Sequence, residues 1–291
     1  MSLTDILIAI AVVGIWGVNF VVIKVGLQDL PPILFTALRF LFAAFPLVFF
    51  VRRPAIPWKL LAGYGLFQFA VQFTLLFYGM KLGLSAGLAS LVIQLQAFFT
   101  IGLAILLLGE RPRISQWIGS IVAFSGMLLV GVHLEGKATI IGFLLVIAGG
   151  MSWATANIFT KKIGKVNPVA LVVWGSLLAT PPLLCASLVV EGPVAWLETA
   201  QRASWLSVAA VMFQSYPNTI LGFGIWSMLM RKYPAATIAP FTLLVPVFGM
   251  LSATLVLDEP LQWWKIVAGL LVLCGLAFNQ FGGKQMKNKI G

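Results

Sequence analysis

Long apolar stretches alternate with short polar punctuation from one end of the chain to the other. Each stretch approaches the roughly 20 residues that a helix needs to cross the hydrocarbon core of a bilayer. The punctuation is Pro, Gly and Lys/Arg, residues that stop a helix or hold its end at a headgroup. The pattern predicts ten helices, near 5–25, 32–51, 61–81, 86–108, 114–132, 139–160, 168–190, 205–230, 235–257 and 263–282. The first run leads into Asn19 and Lys24 rather than into a small-residue cleavage site, so it reads as a retained helix and not as a signal peptide.

Composition points the same way. Hydrophobic residues make up 60% of the chain and charged residues 9%, against about a quarter charged in a soluble domain. The expected fold class is therefore an all-α integral membrane protein set in the lipid bilayer.

A net charge of +11 raises the question of nucleic acid. With ten spans and both termini on one face, that face receives thirteen Lys and Arg residues, from Arg52 and Arg53 through Arg111, Arg113, Lys161, Lys162, Lys165, Arg231 and Lys232 to Lys289. The other face receives Lys24, Lys81, Lys137, Arg202 and Lys265. The positive-inside rule accounts for that bias and puts both termini in the cytoplasm, so no nucleic-acid partner is called for.

The halves echo each other. An offset of 138 sets Asn19 on Asn157, Lys24 on Lys162 and Gly26 on Gly164, pairing 14-GIWGVNFVVIKVG-26 with 152-SWATANIFTKKIG-164. An offset of 149 sets Glu110 on Glu259 and Gly126 on Gly275, pairing 107-LLGERPRISQW-117 with 256-VLDEPLQWWKI-266. Residues 1–135 and 136–291 would then be five-helix repeats. An odd number of spans turns the second copy upside down, and such inverted repeats place a site at their interface near the midplane.

Polar groups within the runs are the candidates for that site. Asn19 and Asn157 come first, weighed against plain interhelical hydrogen bonding. Lys24 and Lys162 sit near helix ends, where long side chains snorkel to headgroups. Arg39 lies about seven residues past Pro32, roughly 10 Å along its helix, with no acidic residue at comparable depth in any span. It either receives a substrate carboxylate or is satisfied structurally by carbonyls and glutamines.

Gln68 and Gln72 share a helix face. Gln94 and Gln96 stand two apart, so one should face the cavity and the other a neighbouring helix. In 213-FQSYPNTILGFGIW-226, Pro217 frees carbonyls beside Gln214, Tyr216 and Asn218, for a ligand or for a neighbouring helix. Trp153 and Trp174 are candidate apolar walls, whereas Trp58, Trp263 and Trp264 fit interfacial anchors.

Other chemistry lacks its residues. Cys185 and Cys274 lie in apolar spans with no base nearby and read as packing residues, and His133 stands alone, so neither an enzyme nor a metal site is expected. The chain has no phosphate-binding Gly-rich loop followed by Lys-Ser/Thr, and no cofactor is expected. No carboxylate or histidine lies well inside a span to relay protons, which favours a facilitator or exchanger, with Glu110, Asp258 and Glu259 near helix ends as the groups that still titrate.

The duplication, together with 14-GIWGVNFVVIKVG-26, 38-LRF-40, 109-GER-111 and 257-LDE-259, resembles the EamA family of the drug/metabolite transporter superfamily over the whole chain. Within it, 87-GLASLVIQLQAFFTIG-102, 224-GIW-226 and 239-APFTLLVPVFG-249 are most similar to the branch that exports O-acetylserine and cysteine. Ala97 stands where many members have Pro, a departure which that branch shares. The resemblance implies a bacterial inner-membrane exporter of small zwitterionic amino-acid metabolites. A broader exporter of other amino acids or drug-like metabolites is the alternative, since the fold hosts several substrate classes.

Overall fold

The computed structural model describes residues 1–109, 111–134, 137–233 and 238–285. Glu110, Glu135, Lys287 and Lys289, which carry part of the charge and repeat patterns, lie outside the described residues. Among the described residues there are helices and turns and no strand.

Helix α1 spans Leu3–Asp29, α2 Pro32–Ala44, α3 Trp58–Lys81, α4 Ala86–Leu108, α5 Ile114–Val132, α6 Lys137–Ile163 and α7 Pro168–Val190. A short α8 covers Gly192–Arg202. Helix α9 runs without a break through Trp205–Phe213, Gln214–Leu221 and Gly222–Lys232, and α10 through Ala239–Leu243 and Leu244–Leu257, before α11 at Trp263–Gln285. Among the described residues, seven stretches, from Leu3–Asp29 to Pro168–Val190, are long and apolar enough to cross a membrane, and Phe241–Leu257 and Trp263–Phe278 are shorter apolar helices.

Local chemistry sets the ends. Ser2, Ser85 and Ser204 cap α1, α4 and α9 by accepting backbone N–H bonds, and Asn167 accepts from Val169 and Ala170 ahead of Pro168. Helix α2 stops at Ala44 rather than near residue 51, because Phe45, in extended backbone before Pro46, cannot continue it. A 3-10 turn, Leu47–Phe49, follows. Helix α8 was not expected: Gly192, at a φ of 81°, reverses the chain, and Pro193 opens a new first turn whose residues all stay unburied.

Among the described residues, α3, α4 and α9 change their winding along their length, and α10 opens on a tighter turn. Helix α3 has a π segment at Leu66–Val71 and α9 one at Gln214–Leu221, where Pro217 lacks the donor an α-helix needs. Helix α4 tightens to 3-10 at Ile93–Leu95, and α10 at Ala239–Leu243.

Helix α1 packs on α9 and α10, α2 on α7, α3 and α4 on α6, and α5 on α11. Phe20, Ile23, Phe35, Phe77 and Leu91 belong to the main apolar core, and Phe40, Leu61, Phe69 and Leu171 to a second. The outer faces are apolar too, with Leu106, Val189 and Leu255 exposed, as suits helices that meet lipid. Cys185 and Cys274, read from the sequence as packing residues, are exposed. A bilayer gives a small apolar group no drive to turn inward.

Candidate functional site

The altered windings surround an internal cavity of about 270 Å³, close to the lower end of the range for small-molecule sites, about 300–1,000 Å³. Its wall includes Asn19, Arg39, Gln68, Gln72, Gln94, Gln96, Trp153 and Asn218, brought together from α1, α2, α3, α4, α6 and α9. Aromatic and aliphatic side chains fill the rest: Trp16, Phe20, Phe73, Leu76, Ile93, Phe223, Trp226 and Val245, with Thr242.

Arg39 is 1% exposed. Its Nη2 donates to Thr219 Oγ1 at 3.1 Å, and its guanidinium carbon lies 3.9 Å from the centroid of the Phe73 ring and 5.0 Å from that of Phe40. Nε and Nη1 have no hydrogen-bond partner among the described residues. Asn19 and Asn218, both buried, each have an unpartnered Oδ1. Residues that carry unmet donors and residues that carry unmet acceptors therefore line the same cavity. Each such group, buried without a partner, costs about 1–3 kcal/mol, more for a charge.

Some neighbouring polar atoms are already paired. Gln68 Nε2 donates to Gln72 Oε1 at 2.8 Å, one helical turn along α3. The π turn of α9 frees backbone carbonyls, and the indole N–H of Trp16 donates to that of Asn218 at 3.1 Å. Gln214, fully buried on the same turn, has both amide atoms unpartnered but is not among the cavity-lining residues.

Several expectations change. Gln94 and Gln96 both line the cavity. The 3-10 turn before Gln96 winds at about 120° per residue rather than about 100°, which brings positions two apart closer in angle. Asn157 is not in the wall: its Nδ2 donates to Gln96 Oε1 and Thr100 Oγ1, each at 3.0 Å, and holds Gln96 in place. Trp174 lies away from the cavity, with its indole N–H on the Val51 carbonyl at 2.9 Å and its ring edge-on to Trp58. Lys24 Nζ donates to the Met80 carbonyl at 3.0 Å, at the end of α3.

Sequence reading missed the aromatic box, in which Trp16 contacts Phe223 and Trp226 with ring centroids 5.6 and 5.2 Å apart. One signal was present, since Gly-Ile-Trp occurs at 14–16 and again at 224–226.

The EamA-like transporter family matches residues 3–132 and, separately, 140–280. Among similar proteins, the "Probable amino-acid metabolite efflux pump" of Escherichia coli (strain K12) is 42% identical over 288 residues, covering 97% of this chain and 96% of that one. The protein of the same name from Salmonella typhimurium is also 42% identical over 288 residues, with the same coverage. The "Uncharacterized transporter YoaV" of Bacillus subtilis is 26% identical over 289 residues, covering 94% and 95%. A crystal structure 18% identical in sequence superposes with a TM-score of 0.65 over 98% of this chain and 99% of its own, which is a likeness of fold. A chain that is helical among its described residues, apolar outside, and holds a cavity with several polar side chains in its wall, and that the family matches along nearly its full length, is a multi-pass membrane transporter and belongs to the EamA-like transporter family.

Proposed function

We propose that this protein is a secondary exporter in a bacterial inner membrane that moves small zwitterionic amino-acid metabolites, cysteine and O-acetylserine among them, by alternating access. The carrying observation is the pairing of unmet donors on Arg39 with unmet acceptors on Asn19 and Asn218 around one small cavity. The donors suit a carboxylate and the acceptors an ammonium. Gln68, Gln72, Gln94 and Gln96 are the remaining polar contacts, Trp153 is an apolar wall, and Asn157 acts through Gln96. Trp174 is left without a role at the cavity. The relatives named as efflux pumps for amino-acid metabolites support the substrate class.

In this reading the chain crosses the membrane ten times as two inverted repeats, 1–135 and 136–291, with both termini cytoplasmic. Several correspondences support it. The family matches each half on its own. At the offset of 149, left-handed residues end α4 at Gly109 and α10 at Asp258. At the same offset two close contacts of α5 with α11 are reciprocal: Gly126 faces the Ala268 carbonyl, and Gly275 faces that of Gly119. The repeats are unequal at the site itself, since Asn19 lines the cavity while its counterpart Asn157 is bonded behind it.

The direct test uses liposomes loaded with unlabelled cysteine, in which uptake of labelled cysteine or O-acetylserine is followed with and without a pH gradient. No Asp, Glu or His lines the cavity among the described residues, so exchange independent of the gradient is the expected result. If neither compound moves through active protein, the cysteine-pathway assignment falls. The aromatic wall favours one broader reading, that larger apolar amino acids or drug-like metabolites compete, and a competitor panel in the same liposomes tests it.

Replacing Asn157 with alanine should leave the fold intact and slow exchange about 3- to 10-fold, the loss of roughly one positioning hydrogen bond. Unchanged exchange would mean that Gln96 needs no such anchor.

A further inference from the structure

We propose that Phe73 is the internal counter-ligand of Arg39: its ring face attends the cation in the absence of a carboxylate, and a carboxylate binds by displacing the ring. The inference deepens the reading of this cavity as a substrate site and rests on it.

A permanent cation away from water demands a partner. The carboxylates that the structure shows in contacts are engaged at helix ends. Asp5 binds Lys232, Asp29 binds Ser204 and Ser207, Glu191 accepts from the backbone of Ile33 and Leu34, and Glu259 from that of Ala86 and Gly87. None of these reaches Arg39. Beside the Thr219 hydroxyl oxygen that accepts from Nη2, the electron-rich face of Phe73, 3.9 Å away, supplies negative potential to the cation.

Geometry separates Phe73 from Phe40, the second ring on the same cation. Phe40 is fully buried in the core and 5.0 Å away. Phe73 is only partly buried and lines the cavity, so it has space into which to yield. Arg39 itself is almost wholly covered, and its Nε and Nη1 are sealed from solvent while unpartnered. A carboxylate reaches them once the ring swings away. Affinity for the substrate is then the difference between a charge-assisted pair and a cation–π contact. The same exchange spares the empty cavity a bare cation as it re-orients, which favours net export over strict one-for-one exchange.

The test isolates the ring's electrostatics. In the purified full chain, Phe73 is replaced by 3,5-difluorophenylalanine and by pentafluorophenylalanine, which nearly keep its shape while weakening its face potential, and by leucine. Tryptophan fluorescence is titrated with acetate, a carboxylate lacking an amino group, and with neutral acetamide. Acetate affinity should rise along the series, reaching about tenfold, while the acetamide response stays constant. A flat or falling series, no acetate response in any variant, or equal responses to acetate and acetamide overturns the proposal. Cysteine exchange by wild-type liposomes decides the transport reading separately, so a working exchanger with a flat acetate series rejects only the role of Phe73.

Discussion

Substituting Arg39 with methionine is expected to abolish transport and at the same time make the protein more resistant to heat. The side chain is the largest of the fully buried ones, carries a permanent charge, and has one hydrogen bond, to Thr219. Replacing a buried charge that lacks full compensation with an apolar group of similar volume is commonly neutral or stabilising by about 1–4 kcal/mol. The loss of function follows from the same charge. A charge-assisted pair with a substrate carboxylate is worth about 1.5–3 kcal/mol, and its removal slows transport by roughly 10- to 150-fold, more if the carboxylate is left buried alone. Lysine should not restore activity, since it lacks the planar guanidinium that lies over Phe73 and offers paired donors. Two measurements on one purified variant decide the matter: thermal unfolding in detergent and exchange in liposomes. Wild-type exchange by the methionine variant removes Arg39 from the mechanism, and a lower unfolding temperature means that the guanidinium is structural.

The second large effect is on folding and lies at Gly142. A Cβ placed there would sit 2.5 Å from the Gly79 carbonyl oxygen, and one placed at Gly79 would sit 2.6 Å from that of Gly142. Helices α3 and α6 thus touch backbone to backbone, and neither contact atom is a flexible side chain that can move aside. Helix association in a bilayer draws on such close packing rather than on expulsion of water. Gly142→Leu should push the helices apart at a cost of at least about 1–3 kcal/mol and give little monodisperse protein. Gly102→Ala, where nothing lies within 4 Å of the added carbon, should behave as wild type in size-exclusion chromatography and thermal unfolding. A well-folded Gly142→Leu variant would show that α3 and α6 tolerate separation.

Much of the cavity's polar lining was legible because polarity inside an apolar run is costly and therefore conspicuous. Asn19, Arg39, Gln68, Gln72, Gln94, Gln96 and Asn218 stood out on those grounds, and all of them line the cavity. The errors have physical causes. Gln94 and Gln96 were separated by α-helical angles, but the chain winds there as 3-10. Trp174 and Trp153 look alike in sequence, and only the neighbours that each meets distinguish an anchor on Val51 from a cavity wall. Phe73 was passed over because a phenylalanine in an apolar helix has no contrast with its surroundings.

By itself, the sequence determined that the chain is helical and lives in a bilayer, roughly where its helices lie, and which polar side chains need an internal environment. Those properties are set by local composition, by run length and by the desolvation of single groups, all of which are read along the chain. The tertiary structure alone decided which faces meet. Membrane helices are apolar on every side, so no amphipathic pattern marks the inward one, and the partners of Arg39 come from α9 and α3, with Thr219 180 residues away. Whether a buried polar group lines the cavity, like Asn19, or is satisfied behind it, like Asn157, depends on what the neighbouring helix presents at that depth.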